Sequence, residues 1–284
     1  MATVRDLLRG GAEALAGIPG LDPALEARIL LRRTGRLTEL EILAYPERPV
    51  AAGFERKFWA AVKARRSGRP LAYIIEEKEF WSIPLTVGPA VLIPRPESEL
   101  LVERALGFCR RKDPLILEIG TGSGCLAVAL AKELPASRIL ATDVSRRALR
   151  LASSNADRHG AANVTFLHGR LFGPFRGRGL EGRADFVVSN PPYIAEAEWP
   201  DLPEAVRRAE PRRALIAGPT GLEVIRGLVR GAPRFLKKGG RLVFEIGAGQ
   251  ADAVRPLFGR RWDEVEVSLD WGGRPRVVTA RRHV

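Results

Sequence analysis

The chain has 284 residues, 45% of them hydrophobic, 28% charged and 7% aromatic, with a formal net charge of +13. That length and aliphatic content suit one large or two ordinary folded domains and exclude a disordered chain. Two cysteines (Cys109, Cys125) and three scattered histidines exclude a disulfide framework and make a metal centre improbable.

Residues 3–68 read as helices. Apolar residues recur at helical spacing in Val4, Leu7, Leu8 and in Leu25, Ile29, Leu30, with Asp22-Pro23 as a cap and first-turn signal. A third helix fits Ala51 to Arg66, with Phe54, Phe58, Trp59 and Val62 on a core-facing stripe, and Ser67-Gly68-Arg69-Pro70 ends it. Residues 71–95 change character. Tyr73-Ile74-Ile75, Phe80-Trp81 and Leu85 to Ile93, punctuated by Pro84 and Gly88-Pro89, read as a β-hairpin connector. From residue 96 to 284 strand and helix patterns alternate. Strands are expected at 114–119, 138–142, 164–168, 184–189, 241–246, 265–269 and 276–280, with helices at 125–134, 145–158, 221–236 and 250–258. Alternation predicts an α/β domain with a mostly parallel sheet covered on both faces, and the final two strands suggest an antiparallel edge.

In such sheets a ligand sits beyond the carboxyl ends of the central strands. The segment Ile116-Leu-Glu-Ile-Gly120-Thr121-Gly122-Ser123-Gly124 puts three glycines at a strand-to-helix turn, where a ligand can approach bare backbone. Asp143 follows at the end of the next expected strand, placed to accept both hydroxyls of a ribose. The pattern is G-x-G-x-G with Glu118 two residues before it, rather than the dinucleotide G-x-G-x-x-G, which tilts the expected cofactor from a dinucleotide to S-adenosylmethionine.

Asn190-Pro191-Pro192-Tyr193 ends the fourth strand and faces the same crevice. The two prolines stiffen the turn and leave carbonyls free. The Asn190 side-chain oxygen and the Pro191 carbonyl form an acceptor pair for a planar –NH2 group, and Tyr193 can lie on its flat face. Pro192 completes the substrate turn. Holding a poor nucleophile in line supplies much of the rate by positioning alone.

On these residues the chain resembles the HemK/PrmC family, which methylates the side-chain amide of the glutamine in the Gly-Gly-Gln loop of class 1 peptide-chain release factors. The resemblance extends to Leu92-Ile-Pro-Arg-Pro-Glu-Ser-Glu, Ala141-Thr-Asp-Val-Ser145 and Phe244-Glu-Ile-Gly247. It implies a Rossmann-like class I methyltransferase sheet at 96–284, preceded by a helical release-factor-recognition domain at 1–70 and the connector at 71–95. By the same resemblance Gly120, Thr121, Gly122, Ser123, Gly124, Asp143, Leu171 and Asn190 would hold S-adenosylmethionine, and Asn190 to Tyr193 the glutamine amide. Arg95 and Glu97 would help close the cofactor pocket. Two positions depart from the family: Arg170 stands where an acid near the adenine is usual, and Glu76 where the connector usually has glycine, so the turn or the interdomain angle is open to change.

Two other readings stay open. The same turn serves methylation of an exocyclic amine of a base in RNA or DNA, and a non-catalytic cofactor-binding, ribosome-interaction protein is a third possibility. Arginines make up 39 of the 46 basic residues, and the excess is +3 over residues 1–89 and +10 over 90–284 without a dense block. This reads first as compositional bias on a solvated surface. Residues 1–68 lack the aromatic–basic pattern of single-strand binding, so no stable nucleic-acid partner is expected. With no secretory pattern at the N-terminus and no apolar run of about 20 residues, the expectation is a cytoplasmic monomer with no membrane partner.

Overall fold

The structure is a computed structural model and describes residues 1–284. It divides into two compact units, one of residues 1–76 with 203–209, the other of residues 77–202 with 210–284.

The first unit is helical: α1 (Val4–Leu15), α2 (Pro23–Gly35), α3 (Glu39–Ala44), α4 (Ala52–Arg66) and α5 (Leu71–Ile75). Local chemistry starts three of them. Thr3 with Asp6 and Thr38 with Glu41 form reciprocal capping boxes, and the Asp22 carboxylate accepts from the amides of Ala24 and Leu25 ahead of Pro23. The core joins Leu7 and Leu15 to Leu30, Leu31, Phe58 and Val62. Helix α4 meets α1 closely at Gly11, where a Cβ would stand 2.6 Å from the Phe58 ring. The stripe on α4 is narrower than expected: Phe58 and Val62 are buried, whereas Trp59 is 37% exposed and stacks edge-on against Phe58.

Residues 71–95 are not one connector. Leu71–Ile75 forms α5 after Pro70, and the hairpin is confined to β1 (Glu77–Phe80) and β2 (Ile83–Thr86). Glu76 ends the helix with φ +59° and returns its amide to the Ala72 carbonyl. The side chain therefore takes the left-handed backbone that glycine would take, and this turn keeps its form without one. The hairpin is part of the second unit's core, since Phe80, Ile83 and Leu85 are buried there with Leu101 and Leu126.

The second unit continues through α6 (Glu99–Phe108), β3 (Leu115–Ile119), α7 (Cys125–Glu133), β4 (Arg138–Asp143), α8 (Arg146–Arg158), β5 (Val164–His168), β6 (Ala184–Ser189) and β7 (Ile194–Ala195). After α9 (Glu204–Ala209), which belongs to the helical unit, come β8 (Ile216–Gly218), α10 (Glu223–Phe235), β9 (Leu236–Glu245), α11 (Ala251–Val254), β10 (Trp262–Leu269) and β11 (Pro275–Arg282). Seven strands form one α/β sheet in the order β10-β11-β9-β6-β3-β4-β5. The five from β9 to β5 are parallel, and β11 runs antiparallel to both its neighbours. The last strand is thus interior, between β9 and the edge strand β10. Alternate residues feed opposite faces: Leu117, Ile119 and Leu140 join α10, while Ile116, Ile139 and Ala141 join α6, α7 and the hairpin. The helix expected over 250–258 is shorter, because Arg255-Pro256-Leu257 tightens into a 3-10 turn. No helix is long and apolar enough to cross a membrane.

Candidate active site

The chain runs from β3 outward to β4 and β5, then returns to β6 on the other side of β3. This reversal leaves a crevice beyond the carboxyl ends of β3 and β6, the usual ligand position in open α/β sheets. A cleft of about 370 Å³ lies there. It is lined by all five residues of the 120–124 loop except Gly124, by Asp143 and Leu171, and by Asn190 and Pro192.

The loop is held mainly by backbone. Gly120, Gly122 and Gly124 have φ of +76°, +56° and +82°, and the amides of Gly120 and Thr121 both donate to the Thr142 carbonyl at 2.8 and 2.9 Å. At Gly124 a Cβ would stand 3.1–3.4 Å from atoms of Ala152, so α8 closes on the loop there. Asp143 fixes the loop from the end of β4. Its two oxygens accept from the amides of Gly122 (3.0 Å) and Ser145 (2.8 Å). Each oxygen keeps a lone pair for a hydroxyl donor.

Glu118, in β3, is 1% exposed and lines the cleft. Its Oε2 accepts from the Thr121 hydroxyl at 2.9 Å, while Oε1 and the neighbouring Ser123 hydroxyl have no partner. Burial, partly opposed by the Thr121 hydrogen bond, pushes the carboxyl up to about 8, with the Asp143 charge adding to the rise. A cationic, hydrogen-bonding ligand at this end would satisfy both orphaned atoms. The bare glycine backbone, Asp143 and this unspent carboxylate together fit a ligand with ribose hydroxyls at one point and an amino-acid-like cation at another. No group of three or more His, Cys, Asp or Glu side chains is placed to hold a metal ion. Burial pushes the Cys125 thiol up to about 12, which disfavours the thiolate.

On the opposite wall Asn190 follows β6. Its Nδ2 donates to the Ser98 hydroxyl at 2.7 Å, and Ser98 Oγ lies 2.5 Å from Glu245 Oε2. Pro191 is buried and Pro192 borders the cleft. Tyr193 is set back from the lining: its hydroxyl lies 3.4 Å from Glu245 Oε1, and its carbonyl accepts from Gln250 Nε2 at 2.8 Å. Burial, with the Glu245 charge, pushes the phenol up to about 12.

Arg95 and Glu97 are not lining residues; Pro94 and Ser98 are. The Arg95 guanidinium is drawn instead to Glu210 at 2.5 Å, a buried carboxylate that also accepts from the Ile93 amide. Leu171 borders the cleft with φ +47° and packs on Gly227 of α10, and Arg170 lies beside it. Reading the sequence missed Ser98, Glu245 and Asn155 as parts of the site. The buried Asn155 amide bonds both the Thr86 backbone and the Ser123 carbonyl, tying the hairpin to the glycine loop. Glu118 had a local signal, its place two residues before Gly120; the others act across 32 to 147 residues of chain.

Residues 97–206 match the family model of the "Methyltransferase small domain", and residues 6–75 match that of the "PrmC N-terminal domain". The chain is 42% identical over 287 residues, 98% of its length, to a release factor glutamine methyltransferase of Moorella thermoacetica, covering 95% of that protein. It is 42% identical to one of Chlorobaculum tepidum (88% of this chain, 87% of the other) and 39% to one of Nitratidesulfovibrio vulgaris (100% and 96%). Among solved structures the fold resembles a methyltransferase from Pyrococcus furiosus, with a TM-score of 0.55 at 18% identity, over 78% of this chain and all of that one. It also resembles the hMettl16 catalytic domain, with a TM-score of 0.56 at 14% identity over 80% of each chain. With full-length identity of this order joined to a methyltransferase cleft, the chain belongs to the release factor glutamine methyltransferase family.

Proposed function

We propose that this chain transfers a methyl group from S-adenosylmethionine to the side-chain amide nitrogen of the Gly-Gly-Gln glutamine in class 1 peptide-chain release factors. The observation that carries the reading is the Asn190 amide, mounted on a proline-stiffened turn and opening on the same cleft as the glycine loop. The loop backbone, Asp143 and Glu118 would hold the cofactor, with Leu171 against its base. When bound, it supplies an electrophilic methyl group on sulfonium sulfur. Asn190 Oδ1 and the Pro191 carbonyl accept from the two N–H bonds of the substrate amide, which fixes its nitrogen and raises its electron density. Held there, the amide nitrogen would stand in line with that methyl group, and its surplus proton would pass to solvent. Positioning of this kind needs no titrating base. Tyr193 braces the turn from behind.

The helical unit would grip the release factor. The reading places the protein in the cytoplasm as a monomer with no stable nucleic-acid partner. Methyl transfer from labelled S-adenosylmethionine, with release factor and total RNA as parallel acceptors, tests it. Label is expected on the factor alone and is expected to vanish when its Gly-Gly-Gln glutamine is changed to alanine. Label on RNA would hand the turn to base-amine methylation.

A further inference from the structure

We infer that Ser98 and Glu245 are positioning residues that fix which end of the Asn190 amide faces the substrate. The inference rests on the role given to Asn190 above. An asparagine amide presents an acceptor at one end and donors at the other, and only the acceptor end suits a substrate –NH2 group. The choice is made at the cleft wall by Ser98 and, beyond it, Glu245. Ser98 is 1% exposed and Glu245 1% exposed, and between them the serine hydroxyl has one proton to give. An ionised Glu245 accepts only, so at 2.5 Å it takes that proton. Ser98 Oγ is left as an acceptor towards Asn190, which must then turn Nδ2 to it, as it does at 2.7 Å. Oδ1 is thereby committed to the other side.

The arrangement also sets a pH dependence. Groups facing Glu245 are Ser98 and Glu97 from the turn before α6, Tyr193 after β6, Arg276 of β11 and Cys125 of α7. Burial outweighs the hydrogen bond from Ser98 and the charge of Arg276, and pushes Glu245 up to about 7. Protonated, the carboxyl donates to Ser98, which then turns its own proton towards Asn190 and favours the flipped amide. Turnover at saturating cofactor should therefore fall as pH drops below about 7.

The experiment measures kcat across pH 5.5–8.5 and calorimetric affinity for S-adenosylmethionine in the full-length protein. Ser98→Ala is expected to lower kcat about a hundredfold, the scale of a small misplacement in a reacting pair, with cofactor affinity kept within about twofold. Ser98→Thr, which keeps the hydroxyl, should recover most of it. Glu245→Gln, whose amide can still accept from Ser98 but cannot titrate, should lose the acid limb. Asn190→Ala is the control. If it is inactive while Ser98→Ala turns over normally, or if the acid limb survives in Glu245→Gln, the positioning role is overturned and the catalytic reading stands. Normal turnover by Asn190→Ala would overturn both.

Discussion

The glycine loop after β3 and the Asn190–Tyr193 turn after β6 face each other across one cleft, yet they are built by opposite means. The loop is fixed mainly by backbone, by the Thr142 carbonyl and by Asp143 within 23 residues of Gly120, with one more distant support, the Asn155 amide on the Ser123 carbonyl. The turn is stiff in itself, but its working side chain is oriented by Ser98, 92 residues away in sequence. A site held by local backbone tolerates change in distant side chains; one held by a side-chain relay has several separate points of failure.

Substitutions sharpen that contrast. The largest effect is expected at Asn190→Ala, which should cost about a thousandfold in turnover, the upper scale for losing one preorganised polar group, while S-adenosylmethionine still binds. On the opposite wall, Asp143→Ala removes a carboxylate that both fits a ribose and holds the amides of Gly122 in the loop and Ser145 at the start of α8. Cofactor affinity should weaken about tenfold to a hundredfold, with kcat at saturation much less affected; equal losses in both would show that the walls are not independent.

Glu118 gives a smaller effect, read as stability. In the unfolded chain it ionises near 4.5, whereas in the fold burial keeps it protonated up to about 8. The folded chain holds the extra proton, so its advantage is lost as pH rises between those values. Without cofactor, the melting temperature should fall from pH 5 to pH 8, and Glu118→Gln should flatten the fall in part, since Glu245 adds a similar slope up to about 7. The smallest effect lies outside both walls. Glu76→Gly relieves a left-handed non-glycine residue and should gain about 1 kcal/mol in denaturant unfolding, less the entropy of the added glycine, with kcat unchanged.

What could be read from sequence follows the same local–distant division. Strands β3 to β6 and the cap of α2 lie within a residue or two of expectation, because period and capping are local signals. Tyr73-Ile74-Ile75 misled because a three-residue apolar run has no measurable period. The hairpin turn gave no warning either. Trp81 and Ser82 occupy it with φ of +53° and +55°, although neither is a usual residue there, and Glu99 and Glu133 hold Trp81 by its amide and indole nitrogens. The Ser98–Glu245 pair joins positions 147 residues apart, which no local pattern announces.

The interior place of β11 bears on how the protein is made. Strands β9 and β10 emerge from the ribosome before the strand that joins them, so neither edge can close while synthesis of 275–282 is pending. During that interval β9 offers an open row of amides and carbonyls, the feature through which sheets pair with other chains. Completion of the sheet thus waits on residues 275–282, and its final step is the insertion of one strand between two that precede it.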